Sequence, residues 1–112
     1  MRLQSFREFY PYYLQEHTYK TCRALHYIGS SCILLVVAYV LFGGSAWWLL
    51  SLPIIGYGFA WVGHFLFEHN KPATFEYPLY SLMGDWVMYK DAIVYACTGK
   101  RSAAAKQAWP QR

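Results

Sequence analysis

Charge is missing from the middle of this chain. Between Ala24 and Phe67 there is no Asp, Glu, Lys or Arg, a stretch of 44 residues. As helix, at about 1.5 Å per residue, it would be roughly twice as long as the ~30 Å hydrocarbon core of a bilayer. Over the full 112 residues only 14% are charged while 56% are hydrophobic, which excludes an ordinary soluble domain. Cysteine is scarce and odd in number: Cys22, Cys32 and Cys97 form no C-x-x-C pair, which excludes a disulfide framework or a zinc knuckle. Cys32, inside the apolar run, reads as a small packing residue. There is no early apolar h-region, because Arg2, Arg7, Glu8, Glu16 and Lys20 occupy the first turns, so no cleavable signal peptide is expected. No serine sits in a G-x-S-x-G setting, which removes a serine hydrolase. The net charge of +4 is scattered over both ends with no basic stripe. It suits anionic headgroups and argues against nucleic acid as a partner.

What is present organises around Ala60–Phe75, where membrane-grade apolar sequence turns abruptly polar through His64, Glu68, His69, Asn70 and Lys71 before Pro72 stops the helix. Upstream, Gly43-Gly44-Ser45 interrupts the uncharged run near its middle, where a turn between antiparallel helices belongs. The expected fold is all-α: an integral membrane helical bundle of two or three embedded helices plus an N-terminal interfacial helix, forming a single domain over 1–112. Residues 3–16, aromatic and partly charged, form the interfacial helix, with Pro11 expected to bend or interrupt it. Spans are expected over 24–42 and 46–67, with Trp47 and Trp48 at one interface and Trp61 nearer the other. Pro53, Gly56, Gly58 and Gly63 thin the second span, allowing a kink or a close helix contact, and Gly56 and Gly63 could pair two copies as a homodimer. Residues 78–97 start at Pro78 but contain Asp85, Lys90 and Asp91. They either span the membrane or lie along its surface, and 98–112 is a basic tail.

Arg2, Arg7, Lys20 and Arg23 precede the first span, which places the N-terminus in the cytoplasm. A third full span would send Lys100, Arg101, Lys106 and Arg112 outward, so a tilted or interfacial third helix is preferred. All four histidines of the chain, His17, His26, His64 and His69, then fall at one depth on the cytoplasmic side. Spacing limits how they meet. His17 and His26 share a site only if the helix breaks between them, and His69, roughly 140° from His64 around a helix, joins only if the helix ends near Glu68. His64 and Glu68, four apart, share a face. Neutral imidazoles in such a group favour iron, copper, nickel or zinc over calcium or magnesium. Glu68 reads as a partner holding a histidine tautomer or as a surface carboxylate, and Asp85 as a buried acid or a solvated one.

These residues also carry a family resemblance. Tyr13-x-x-x-His17, Cys22-Arg23-x-Leu25-His26-x-x-Gly29, the run from Ala60 through Gly63-His64-Phe65-x-x-Glu68-x-Asn70 to Pro72-Ala73-Thr74-Phe75, and Pro78-x-x-Ser81-Leu82-x-Gly84-Asp85 together resemble the Mpo1-like 2-hydroxy fatty acid dioxygenases, in a short bacterial-type form. The resemblance runs from about Phe6 to Asp91. It implies Fe(II) as cofactor, with His17, His26 and His64 on motif histidines and Glu68 on a motif acid; the position of His69 is often lysine in the pattern. It also implies a 2-hydroxy fatty acid and O2 as substrates, α-oxidised to the acid one carbon shorter at the cytoplasmic face of a bacterial membrane, with Tyr13, Tyr27, Asn70 and Lys71 as the candidates for contacting that substrate. Two other readings of the same residues are a small b-type haem protein using His26 and His64 as axial ligands, and a non-catalytic membrane structural or assembly protein.

Overall fold

The computed structural model describes residues 3–72 and 75–109; Arg2, Ala73, Thr74 and Arg112, singled out above, lie outside them. Among the described residues the fold is all-helical: α1 (Phe6–Gln15), α2 (Lys20–Leu41), a 3-10 segment (Ala46–Ser51), α3 (Leu52–Val62), a π-helical turn (Gly63–Glu68), α4 (Pro78–Thr98) and α5 (Ala103–Ala108).

Local chemistry sets the boundaries. Ser5 caps α1 by accepting from the Glu8 amide at 3.2 Å while the Glu8 carboxylate reaches back to the Gln4 amide at 2.9 Å, a reciprocal capping arrangement. Pro11 does not interrupt α1. It forfeits one backbone bond, but the buried side of the helix, Phe9, Tyr10, Tyr13 and Leu14, is held by packing on both flanks of the proline. The link 16–19 then breaks the helix, and Arg23 ties that link down, donating to the carbonyls of His17 at 2.7 Å and Thr18 at 2.8 Å. At the far end of α2, Gly43 takes φ +105°, the left-handed region open to glycine, and the chain reverses there. Pro53 produces no break within the second apolar helix because it occupies the first turn of α3, where its missing N–H is not needed.

α2 packs along α3 and the π turn to form a hairpin, α4 leans on both α2 and α1, and α5 closes over α1. The buried core lies under α1, not inside the hairpin. Phe9, Tyr10, Tyr13, Leu14, Tyr77, Met88, Ala105 and Trp109 cluster there. The tail region 98–112 is therefore more than a basic extension: α5 brings Trp109 back to donate its indole N–H to the Leu14 carbonyl at 2.9 Å, and the Arg23 guanidinium sits 4.0 Å over its ring.

The hairpin has the opposite polarity to a soluble core. Leu35, Leu41, Phe42, Trp47, Leu50 and Ile54 are exposed at 66% or more. Two helical stretches, Lys20–Leu41 and Ala46–Glu68, are long and apolar enough to cross a membrane, and fewer than a fifth of the residues in either are buried by the rest of the protein. A contiguous apolar exterior of this kind needs a covering. Gly56 and Gly63 are used within the chain: a Cβ on Gly63 would stand 2.9 Å from the Cys22 sulfur and one on Gly56 3.3 Å from Ile33 Cδ1, so these glycines let the second helix approach α2.

Candidate metal centre

Three helical segments bring three imidazoles to one point. His17 comes from the link after α1, His26 from the second turn of α2, and His64 from the π turn that ends the hairpin. All three are buried, His17 completely. Their Nε2 atoms face one another, 3.2 Å from His17 to His26 and 3.0 Å from His17 to His64. The break between α1 and α2 is what permits this: without it His17 and His26 would point apart.

The protons on these rings are fixed by the acceptors behind them. His17 Nδ1 lies 2.6 Å from the Tyr13 carbonyl and His26 Nδ1 2.9 Å from the Cys22 carbonyl, and a carbonyl can only accept. His64 Nδ1 lies 2.7 Å from Asn70 Oδ1. The Asn70 amide is itself oriented, since its Nδ2 donates to the Glu16 carbonyl at 3.2 Å and so presents the oxygen to His64. Each Nδ1 therefore carries the proton, and three bare Nε2 lone pairs converge with no hydrogen between them. Three acceptors at that spacing repel one another; a cation among them converts the repulsion into ligation. Burial, with His26 and His64 alongside, also holds the His17 imidazole well below its usual pKa, hence neutral and available as a donor to a metal.

The backbone around His64 explains the geometry. After the π turn, His69 adopts φ 58°, a left-handed conformation that non-glycine residues rarely take, and the Asn70 amide then returns to the His64 carbonyl at 3.1 Å. That reversal places the Asn70 side chain behind the His64 ring. π turns of this kind recur at functional positions.

His69 itself is exposed and stands outside the group of possible ligands, which is His17, Cys22, His26 and His64. Its helix does end near Glu68, but the left-handed turn carries its ring away from the other three. Glu68 accepts from the Tyr19 amide at 2.6 Å and lies beside the Cys22 thiol, fastening the start of α2. All three histidine Nδ1 positions are already taken, so Glu68 does not orient a histidine. Cys22, quoted above only as part of the motif, joins the group: its sulfur lies 3.9 Å from His26 Nδ1, the nitrogen already engaged with a carbonyl, and within 4.8 Å of a ring nitrogen of each of His17, His26 and His64.

A cavity of about 320 Å³ opens from the histidines between α2, α3 and α4. Tyr13 and Asp85 line its polar end, where the Tyr13 hydroxyl donates to the Asp85 carboxylate and the Tyr13 ring lies 4.2 Å from that of His17. Burial pushes the Asp85 carboxyl up to about 6, with the Tyr13 bond acting in the opposite direction. Tyr27 borders a different cavity with Tyr10, Lys20 and Arg101, and Lys71 is exposed, so neither lines the cavity beside the histidines. A two-histidine haem site does not fit this arrangement. The ring of His17 occupies the space next to both His26 and His64, at 4.5 Å from each, where a porphyrin would have to pass.

The elevated Asp85 pKa has a measurable consequence. Because the folded carboxyl titrates near 6 and the free one near 3.8, the ionised form costs the folded state at most about 3 kcal/mol. Asp85→Asn, which keeps an oxygen for Tyr13, is expected to raise thermal stability above about pH 7. The gain should shrink as pH falls from about 6 to about 4 and vanish below that. Melting curves across this range check it; a pH-independent gain would show that the burial of charge is not the cause.

The class defined by this fold and site is a small all-helical protein with two apolar helices and a buried histidine cluster able to hold a metal ion. Residues 3–97 match the family model described as Mpo1-like, 2-hydroxy-palmitic acid dioxygenase Mpo1-like, and the chain belongs to that family. α5 lies beyond the matched residues. No curated protein and no solved structure matches the chain significantly.

Proposed function

We propose that the chain is an integral membrane enzyme that oxidises a long-chain 2-hydroxy fatty acid with O2, using Fe(II) held by His17, His26 and His64. The observation that carries this reading is the convergence of three unprotonated Nε2 atoms, each fixed by a hydrogen bond on its far nitrogen. Three imidazoles are a donor set suited to a divalent transition metal with open positions. Iron bound there supplies redox chemistry with dioxygen that no side chain of the protein possesses. The family's description supplies the substrate class.

The overall change, 2-hydroxy acid plus O2 to the shortened acid, carbon dioxide and water, balances without an external reductant. The protein therefore needs no flavin or nicotinamide site. Its own residues have separable tasks. Tyr13, Cys22 and Asn70 hold the imidazoles in one tautomer through two carbonyls and an amide oxygen. Burial of His17 and His64 keeps bulk water from the bare nitrogens. Asp85, with its carboxyl near 6, can hold or release a proton beside the substrate's polar end at neutral pH. The exposed apolar hairpin supports a bilayer location, and the positive-inside tendency supports the cytoplasmic face for the histidines.

Detergent-purified protein without a metal-binding tag, reconstituted with ferrous ion under anaerobic conditions, is expected to hold about one iron per chain with no Soret band, as a single site of three imidazoles requires. It should then consume O2 with 2-hydroxyhexadecanoate and release carbon dioxide in equal amount. Iron bound without turnover would reject the catalytic assignment. A protein that binds no metal would reject the site as well.

A further inference from the structure

The cavity beside the histidines has a direction. Its polar end holds His17, His26, His64, Ser30, Ser81 and Asp85, while its other end is bounded by Ile33, Leu52, Pro53 and Gly56. Ser30 and Ser81 are both buried, so the hydroxyls belong to the cavity wall and not to an outer surface. α2 packs against both α3 and α4, yet α3 and α4 scarcely touch each other. The space is thus a cleft with α2 as its floor, open on the side between α3 and α4. Along that opening stand Tyr57 and Leu82, both lining the cavity and both exposed. At the polar end the gap narrows where Trp61 packs on Phe75, ring centroids 5.6 Å apart.

A cleft with metal donors, hydroxyls and a carboxyl at one end and only apolar groups at the other fits one acyl chain lying with its head at the histidines. From His64 back to Leu52 the helix rises about 18 Å. An extended chain advances roughly 1.2 Å per bond, judged from the length of an extended backbone, so this distance takes on the order of 15 bonds. Gly56 has no side chain to intrude: a Cβ there would already stand 3.3 Å from Ile33 Cδ1, and since both residues line the cavity a larger side chain would take up space at that wall.

We propose that the cleft between α3 and α4 gauges the acyl chain of the substrate, with Gly56 keeping it open and Ile33, Leu52 and Pro53 forming its far end. This inference rests on the 2-hydroxy acid reading of the metal site and adds what selects the length. The chain enters sideways from the surrounding lipid, and its tail stops against Leu52.

The test compares 2-hydroxyoctanoate with 2-hydroxyhexadecanoate. It uses kcat/KM for iron-loaded protein and equilibrium dialysis for metal-free protein. In Gly56→Leu the preference for the longer acid, taken as the ratio of the two, is expected to fall on the order of tenfold or more in both measurements, in line with the discrimination a pocket makes by chain size. A ratio unchanged by the substitution in a folded protein overturns the gauge. If wild type turns over neither acid but its binding preference still collapses in Gly56→Leu, the cleft stands and the dioxygenase reading fails. Where Gly56→Leu does not fold, Leu52→Ala supplies the reciprocal test. It should shift the preferred length upward, measured with 2-hydroxyicosanoate against 2-hydroxyhexadecanoate, and an unshifted preference overturns the proposal.

Discussion

His64→Ala is expected to abolish iron binding and to lower O2-dependent turnover by well over the roughly 10–100-fold that accompanies loss of a ligand's supporting partner. His64 is the only one of the three converging imidazoles contributed from beyond the hairpin turn, and its Nε2 stands 3.0 Å from that of His17. Removing it leaves two donors and an enlarged polar hole beside the cavity. Insertion should be unaffected, because the exposed apolar faces of α2 and α3 do not involve His64. Iron per chain, O2 uptake and membrane extraction are measured together; a variant that keeps its iron and its turnover sinks the metal assignment. His69→Gly makes the contrasting control. His69 is exposed and holds φ 58°, a conformation glycine adopts freely, so iron content should survive the change.

Asn70→Ala carries the second large effect. The Asn70 oxygen accepts from His64 Nδ1 at 2.7 Å, and its amide nitrogen anchors to the Glu16 carbonyl at 3.2 Å. Without it the His64 proton is free to move to Nε2, where it would face the other imidazoles and block ligation. A buried Nδ1–H left without an acceptor costs about 1–3 kcal/mol. Iron affinity, followed by competition with a chelator, is expected to fall roughly 10–100-fold while His17 and His26 keep their carbonyl partners. Asn70→Asp separates the two functions of the side chain. It retains an acceptor for His64 but loses the donor to Glu16 and adds a charge beside the Glu16 carboxylate, whose Oε1 lies 3.4 Å from the Asn70 amide nitrogen. It should bind iron more tightly than Asn70→Ala; equal loss in both variants would place the effect in the link to Glu16.

Much of this site was readable before any coordinates, for specific physical reasons. An uncharged stretch from Ala24 to Phe67 with Gly43-Gly44 in its middle admits few alternatives to a helical hairpin. Once the hairpin is drawn, residues just before it and just after it share one end, which is why His17, His26 and His64 could be placed together. What could not be read were features that depend on a few backbone angles. The π turn and the left-handed His69 decide that Asn70, named as a substrate contact, instead backs His64, and that Glu68 serves the start of α2. Nothing in residue spacing distinguishes those outcomes, because a single residue in the left-handed region reverses the direction of the next side chain. Pro11 misled for a related reason: helix propensity disfavours it, and tertiary packing of Phe9, Tyr13 and Leu14 overrode the propensity. The docking of α5 was hidden because a short Ala-rich segment has no pattern of its own; Trp109 makes it visible only through the Leu14 carbonyl and Arg23.

The order of residues around the histidine cluster also bears on how the protein is made. His17 lies ahead of the first apolar helix and His64 lies at the close of the second, 47 positions later. A nascent chain that has reached Phe42 holds His17 and His26 but has no third imidazole and no α3 wall for the cavity. The donor set is therefore complete only after the whole hairpin has been synthesised, and on the proposed function loading of the ion would be a late step in biogenesis. An ion held there would tie the beginning of the chain to the end of the hairpin. Chelation of the finished protein should loosen the N-terminal helix before either apolar helix leaves the membrane.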